Sequence, residues 1–187
     1  MMRVGDKLAS YRVLGAALAQ LLDRDWTLEV VGGGPARAEV VAALAPLGAR
    51  VRFAGALALG ARVRFAGALD ETGVAARLAD SDLFVWPAIN EAYGMALLEA
   101  QASGLAVVAG ESGGVGGIVA DGRTGLLTPP GDAGAFAAAL RRLIEDPARC
   151  AEFGAAARQK ALRDHDLAVA ANRLAGMIGS LRRVRAA

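Results

Sequence analysis

The sequence is poor in the residues that build disulfides and metal sites, since it has one cysteine, Cys150, and one histidine, His165. A single cysteine excludes an internal disulfide framework and fits a reducing compartment. Its place in a helical run indicates a passive residue, and His165 is expected to cap a helix or lie on the surface. Without a Cys/His cluster, a structural metal site is not expected.

Long apolar runs and a strong charge imbalance are also missing. No apolar run reaches the length that spans a bilayer, and charged residues appear too early for a signal peptide. The net charge of +2 is too small to indicate binding to nucleic acid. We therefore expect a cytoplasmic protein without a nucleic-acid partner.

The composition that remains is that of a globular domain, with 55% hydrophobic and 21% charged residues in 187 residues. We expect a single domain, residues 1–187. Predicted strands alternate with predicted helices, which is typical of a doubly wound parallel sheet. The strands are short apolar runs, expected to be covered on both faces. They are Trp26–Val31, Arg62–Ala66, Asp82–Trp86, Ala106–Ala109 and a stub at Leu126–Leu127.

The central stretch of the chain runs from Asp82 to Gly104. A buried strand ends at Pro87, a loop follows, and the helix Met95–Ala102 comes next. Glu91 lies in the loop and Glu99 lies in the helix. Open α/β sheets bind ligands at the carboxyl ends of their strands. Free N–H groups at the start of the helix favour an anionic or oxygen-rich ligand there.

The amino-terminal residues are expected to reach the same place. Met1–Val4 resembles the stub of a first strand, and Asp6 or Ser10 is expected to cap the helix that follows. In a sheet ordered 3-2-1-4-5-6, strands 1 and 4 are neighbours at the switch point. Arg3 and Lys7 follow the first and Glu91 and Glu99 follow the fourth, so these four side chains should converge on one crevice.

A tandem duplication interrupts the pattern at residues 47–70. LGARVRFAGALA (Leu47–Ala58) is followed directly by LGARVRFAGALD (Leu59–Asp70), identical in all but the last residue. Two short copies do not make a solenoid. We favour the second copy as the sheet strand, because a short loop connects it to Asp70. The first copy would then extend the preceding helix or form a loop, and a hairpin of both copies is the third option.

The segment EAYGMALLE resembles the Glu-x7-Glu motif of retaining GT-B glycosyltransferases of family 4, the glycosyl transferases group 1. The flanking segments VWPA, SGLAVVAGESGG and DGRTGLLTPPGD are similar to that family as well. The resemblance covers nearly the whole chain, but only the C-terminal, donor-binding half of such an enzyme. It implies a Rossmann-like domain with a truncated first strand. Gly116-Gly117 departs from the Pro-Glu usual in the family, which should loosen the helix there.

The resemblance implies a role for each matching residue. Arg3 and Lys7 match the cations that hold the donor pyrophosphate and stabilise the leaving diphosphate. Glu91 matches the glutamate near the donor sugar, and Glu99 matches the one that binds the ribose. The N–H groups of Tyr93, Gly94 and Met95 would bind sugar or phosphate oxygens. Gly33 would line the cleft, and Gly67, Ala68 and Leu69 would lie beside the base.

The function implied is transfer of a sugar from a nucleotide diphosphate sugar to an acceptor, without a metal or other cofactor. The acceptor would bind to an N-terminal domain that this sequence does not contain, so weak activity is expected of the chain alone. A lipid acceptor would add peripheral association with the inner face of the membrane. The alternatives are a non-catalytic nucleotide-binding or assembly module and a GT-B-type nucleotide-sugar epimerase.

The truncated first strand should leave a gap between its two neighbours, whose backbone groups would be unpaired. We expect Met1–Val4, a neighbouring chain or the spare duplicated segment to fill it. A neighbouring chain in this position would make a homodimer through the truncated sheet.

Overall fold

The computed structural model describes residues 2–53 and 63–184 as parallel strands alternating with helices. The strands are β1 (Leu28–Val31), β2 (Val51–Phe53), β3 (Val63–Gly67), β4 (Leu83–Trp86), β5 (Ala106–Gly110) and β6 (Gly125–Thr128). The helices are α1 (Asp6–Ala19), α2 (Arg37–Leu44), α3 (Glu71–Ala79), α4 (Met95–Ala102), α5 (Val115–Ile118), α6 (Ala133–Glu145), α7 (Pro147–His165) and α8 (Leu167–Val184). A 3-10 helix, Ala45–Arg50, follows α2.

The strands form two parallel three-stranded sheets, ordered β1-β3-β2 and β4-β5-β6. All four strand pairings are parallel, so the predicted parallel α/β architecture is confirmed. The neighbours β1 and β3, and the series β4-β5-β6, also follow the predicted order. The predicted single sheet is divided where its first strand would lie.

Residues 2–5 form no strand, so the predicted strand stub is wrong for the described part of Met1–Val4. Gly5 has a φ of 78° and α1 begins at the next residue, which leaves too little chain for a strand. Met2 is nevertheless 1% exposed and pairs beyond the end of β1. Its N–H donates to the Gly33 carbonyl at 2.9 Å, and its carbonyl accepts from Ala36 N at 3.3 Å. Met2 is therefore joined to the chain beyond β1, and these two backbone bonds do not extend to β4.

An open seam, the gap between β1 and β4 where the predicted first strand would lie, also changes the burial of β4. The strand was expected to be covered on both faces, but all four of its residues are only half-buried. In the described ranges β4 pairs only with β5, so it is an edge strand and not a central one. The neighbouring β5 is buried at every position.

The hydrophobic core lies on both faces of β5, because successive side chains of a strand point to opposite sides. Ala106 and Val108 join a cluster with α1, α2, α6 and α7. Val107 and Ala109 join a second cluster with α4 and α5. This two-sided covering fixes the carboxyl ends of the strands, where the loops of interest begin.

The duplicated segment adopts none of the three expected arrangements in full. The second copy forms β3 and pairs with β1, as favoured. The first copy begins within the 3-10 helix and then forms β2, which pairs in parallel along the outer side of β3. Val51 lies beside Val63 and Phe53 beside Phe65, so identical residues are partners. Parallel pairing excludes the hairpin for β2 and β3, and residues 54–62 lie outside the described part.

Candidate functional site

Lys7 and Glu91 contact each other directly at the carboxyl end of β4. The Lys7 ammonium donates a hydrogen bond to Oε2 of Glu91, and the two groups form an ion pair across 84 positions of sequence. Their side chains are 28% and 17% exposed, so the pair is partly screened from water. The predicted convergence of these two residues is therefore present in the structure.

Two aromatic side chains, Trp86 and Tyr11, pack beside this ion pair. Lys7 Nζ lies 5.3 Å from the centre of the Trp86 ring, and Trp86 Nε1 donates to Glu91 Oε2 at 3.4 Å. Trp86 packs edge-on against Tyr11 at 5.2 Å between centroids. Burial raises the pKa of the Tyr11 phenol, so this hydroxyl stays neutral at physiological pH. Trp86 therefore contacts both the ammonium of Lys7 and the carboxylate of Glu91.

The start of α1 is bonded to the loop after β4 at two further points. Ser10 is fully buried, donates to the Asp6 carbonyl at 2.9 Å and accepts from Ile89 N–H at 3.0 Å. The amide of Asn90 donates to the Asp6 carboxylate at 3.0 Å. Asp6 and Ser10 do not cap the helix, because Gly5 occupies the N-cap position. Both instead fix α1 against the loop that carries Glu91.

The loop after β4 has a constrained backbone. Ala88 and Asn90 have positive φ values of 53° and 50°, conformations that cost energy for residues with a side chain. Glu91 N–H donates to the Ser112 hydroxyl at 3.2 Å. A Cβ atom on Gly113 would lie 2.1 Å from the Glu91 carbonyl oxygen, so only glycine permits this approach. The turn after β5 thus supports the loop from the other side.

The helix α4 begins directly beyond this loop. Its N-cap, Gly94, has a φ of 97°, and no side chain of the described residues caps it. Bonding within the helix begins at Leu97 N–H, which donates to the Gly94 carbonyl at 2.9 Å, so the N–H groups before it are the ones that can face an oxygen-rich ligand. Tyr93 is 46% exposed and Met95 56% exposed at this helix start. Glu99 is exposed in the second turn of α4.

The other predicted residues lie at the carboxyl ends of β1 and β3. Gly33 follows β1, and its carbonyl accepts from Met2. Gly67 ends β3 and accepts from Gly32 N–H at 2.7 Å, which joins the two strand ends. Ala68 and Leu69 come next in the chain. Arg3 is exposed between Met2 and α1, so the structure places it near the strand ends without a polar contact that would fix its role.

The rest of the described chain has a cavity and a buried cysteine apart from this region. In the described ranges, no three His, Cys, Asp or Glu side chains are grouped so that they could hold a metal ion. A cavity of about 460 Å³ lies between β6 and α6, but none of the predicted site residues lines it. Cys150 is buried and donates to the Asp82 carbonyl, and burial raises the pKa of its thiol. This environment agrees with a passive packing role.

No helix in the described part of the chain combines the length and apolar content needed to cross a bilayer.

Sequence reasoning missed several contacts of the site. Trp86 and Asn90 were not singled out, and Ser10 was interpreted only as a cap. A signal for Ser10 existed, because it occupies the apolar stripe that continues through Leu14 and Leu18. A polar residue on such a stripe must find a partner when buried. His165, expected to be a cap or a surface residue, ends α7 with its ring next to Tyr93.

Comparisons with known proteins identify the family of the chain. The family model described as "Glycosyl transferases group 1" matches residues 3–146. The GDP-mannose-dependent alpha-(1-6)-phosphatidylinositol monomannoside mannosyltransferase of Mycolicibacterium smegmatis is 33% identical over 180 residues, covering 91% of this chain. The chain spans 44% of the length of that protein.

Two solved structures show the same fold. HepE from Anabaena, in complex with UDP and glucose, superimposes with a TM-score of 0.74 at 26% identity and 90% coverage of this chain. Sucrose-phosphate synthase from Thermosynechococcus elongatus gives a TM-score of 0.76 at 27% identity and 96% coverage. The chain covers 44% of each of these two proteins, so it corresponds to less than half of either one.

Proposed function

The chain belongs to the glycosyl transferases group 1 family, and from this premise we propose that it binds the nucleotide diphosphate sugar of a retaining GT-B glycosyltransferase. Its Rossmann-like α/β fold is that of a GT-B domain. The reaction is transfer of the sugar from the diphosphate to an acceptor. The contact between Lys7 and Glu91 is the observation that carries the proposal, because it places a cation and a carboxylate at the carboxyl end of β4.

The proposed site uses each group for a different part of the donor. Lys7 and Arg3 bind the pyrophosphate and stabilise the charge that grows on the leaving diphosphate as the glycosidic bond breaks. Glu91 acts at the donor sugar, and Glu99 accepts hydrogen bonds from ribose hydroxyls. Further contacts with the donor come from the N–H groups of Tyr93, Gly94 and Met95. The strand ends at Gly33 and at Gly67–Leu69 also contact the donor.

The relatives narrow the nucleotide to be tested. HepE was also solved in complex with UDP-glucose, and the mannosyltransferase is named for its dependence on GDP-mannose. Both are nucleoside diphosphates linked to a hexose, which supports the same class of donor for this chain. The proposal requires no metal, since cationic side chains supply the charge that the diphosphate needs.

Isothermal titration with UDP, GDP and ADP tests donor binding. We expect one of them to bind, with Lys7→Met weakening its affinity about tenfold or more, because a charge-assisted hydrogen bond to phosphate is lost. Glu99→Gln should weaken the same nucleotide through its ribose. Arg12→Met is the matched control, because it removes an exposed cation from the same helix α1. Failure of all three nucleotides to bind at millimolar concentration would end the proposal.

Turnover is tested separately from binding. Release of free sugar from UDP-glucose and GDP-mannose distinguishes an enzyme from a nucleotide-binding module. We propose slow hydrolysis by the chain alone and faster transfer when an acceptor-binding Rossmann-like domain is added, because GT-B enzymes bind the acceptor there. An identical rate of sugar release with and without that domain would contradict the expected acceleration.

The open seam suggests a partner for the sheet. In the described ranges β1 pairs only with β3 and β4 only with β5, so each strand presents one unpaired edge toward the seam. Unpaired edges favour addition of another strand. We propose that a second copy of the chain contributes it, giving a homodimer. Light scattering after size-exclusion chromatography would detect the dimer, and a monomer at high micromolar concentration would refute it.

A further inference from the structure

The carboxyl-terminal end of α7 contacts the loop before α4 and the helix α5. The Tyr93 hydroxyl and His165 Nδ1 are hydrogen-bonded at 3.2 Å. Their rings meet edge-on, with centroids 6.5 Å apart and planes inclined at 75°. Five positions earlier, Lys160 Nζ donates to the Gly117 carbonyl of α5 at 2.7 Å. One helix end therefore holds both the loop before α4 and the helix α5.

The helix α7 is a firm support for these contacts. Phe153, Ala157 and Ala161 are buried along it. A Cβ atom on Gly154 would lie 2.2 Å from the Gly104 carbonyl oxygen, so α7 packs directly on the backbone at the end of α4. Such close packing leaves the helix little freedom to shift. His165 is the last residue of this packed helix.

The backbone before Tyr93 is held by the turn after β5, since Gly114 N–H donates to the Ala92 carbonyl at 3.0 Å, whereas the Tyr93 side chain extends outward. It is 46% exposed, and the next residue is the left-handed Gly94 that begins α4. An exposed tyrosine side chain without a bond would populate several rotamers. The N–H groups of residues 93–95 come from the same short segment, so their direction depends on how that segment is held.

We propose that His165 is a positioning residue for the donor site. Its bond to the Tyr93 hydroxyl fixes the segment from Tyr93 to Met95, so that these N–H groups face the phosphate or sugar oxygens of the donor. The inference rests on the proposed function, because it concerns the same ligand. It adds a residue from the end of α7, more than seventy positions away in sequence from the loop.

Nuclear magnetic resonance tests the contact itself. His165 is the only histidine of the chain, so the imidazole ¹⁵N signals need no assignment by mutation. The Tyr93→Phe variant keeps the ring and removes the hydroxyl, and we expect it to move the Nδ1 resonance of the protein without nucleotide. An Nδ1 resonance that is unchanged by Tyr93→Phe would overturn the inference.

Titration with UDP, GDP and ADP tests the positioning role. For the nucleotide that wild type binds, we expect His165→Ala and Tyr93→Phe each to raise Kd about three- to tenfold, the range of one neutral hydrogen bond. The double variant should be no weaker than His165→Ala alone, because His165→Ala already removes the bond that Tyr93→Phe removes. His165→Asn places an amide near the position of Nδ1 and should restore most of the affinity.

The controls separate this inference from the proposed function and from loss of folding. Leu162→Ala truncates an exposed neutral side chain on the same helix and should leave Kd unchanged. Thermal unfolding confirms that each variant is folded, and His165→Asn keeps the test open if His165→Ala is not. If wild type binds a nucleotide and His165→Ala binds it equally well, or if the two effects are additive, only the inference fails. If wild type binds none, the proposed function fails and the inference fails with it.

Discussion

Lys7 is one of two lysines in a chain whose basic residues are mostly arginines. Its surroundings suit a compact ammonium group. It has Glu91 as its acceptor and the face of Trp86 on another side. An ammonium has three rotatable donors, whereas a guanidinium is a wider planar fork. A phosphate approaching Lys7 meets a cation that is already paired, so Lys7 must share its donors between the phosphate and Glu91.

Ser10 gives the clearest prediction at the residue scale. Its fully buried hydroxyl accepts from Ile89 N–H in the loop where Ala88 and Asn90 have positive φ values. Ser10→Ala leaves that amide without its acceptor, so we expect a loss of about 1–3 kcal/mol in the free energy of unfolding. Ser81→Ala is the control, because the Ser81 hydroxyl donates to the Arg77 carbonyl of the preceding helix α3, and its loss leaves no distant loop amide without an acceptor. Urea unfolding of both variants measures the difference, and equal losses would contradict the role assigned to Ser10.

Asp164 predicts a dependence of stability on pH. The hydrogen bond from Arg163 lowers the pKa of this carboxyl to about 2, and Lys160 adds to the effect. Because the ordinary pKa is 3.8, the stabilisation is complete above that value and is lost as pH falls through about 2. The stability difference between wild type and Asp164→Asn should therefore be constant from pH 7 to 5 and shrink between pH 4 and 2. Urea unfolding at several pH values checks this, and a difference that vanishes by pH 6 would disprove it.

At the scale of elements, the site depends on close contacts between backbone segments. The loop after β4 and the turn after β5 approach so closely that Gly113 has no room for a Cβ atom. Gly113→Ala must displace the Glu91 carbonyl and also adopt a φ of 53°, so we expect a loss of about 2 kcal/mol or more in the free energy of unfolding. The loop carrying Glu91 should move with it, which would weaken nucleotide binding.

Gly116, only three residues later, is the matched control for that substitution. It is exposed in α5, and a Cβ atom built there meets nothing within 4 Å. Gly116→Ala should stabilise the protein by about 0.5–1 kcal/mol, because glycine loses more conformational freedom in a helix than alanine does. Thermal and urea unfolding give both values. The argument would be wrong if the two alanine variants shifted stability in the same direction.

The same elements show what local sequence signals can predict. The bounds of α4, Met95–Ala102, match the sequence prediction in full. The cap of α3 is a local signal as well, because the Asp70 carboxylate accepts from Gly73 N–H three residues later. The contacts of Ser10 and His165 could not be predicted, because each depends on a loop far away in the sequence. The convergence of Lys7 with Glu91 was predictable only from the order of strands in the sheet.

In the whole molecule, the two copies of the duplicated segment show how tertiary context can give the same sequence two different positions in a sheet. Both copies have the same sequence, so any local rule assigns them the same structure. The structure nevertheless places β3 between two strands and β2 at the edge. Which copy lies inside is decided by connection, because β3 leads into Asp70 and α3. Sequence patterns favoured the second copy for this reason, but they gave no basis for a parallel edge strand from the first.

Deleting one copy is therefore the last prediction. Removing residues 47–58 joins Pro46 to a second LGARVRFAGAL and keeps Asp70, so we expect a folded protein within about 1 kcal/mol of wild type. The loss is small because β2 is a three-residue edge strand, and loop closure depends weakly on length. Removing residues 59–70 instead gives the same sequence with alanine in place of Asp70, the N-cap of α3. That deletion should be less stable by about 1 kcal/mol, the usual value of a lost cap. Urea unfolding compares the two, and equal stability would show that Asp70 does not stabilise α3.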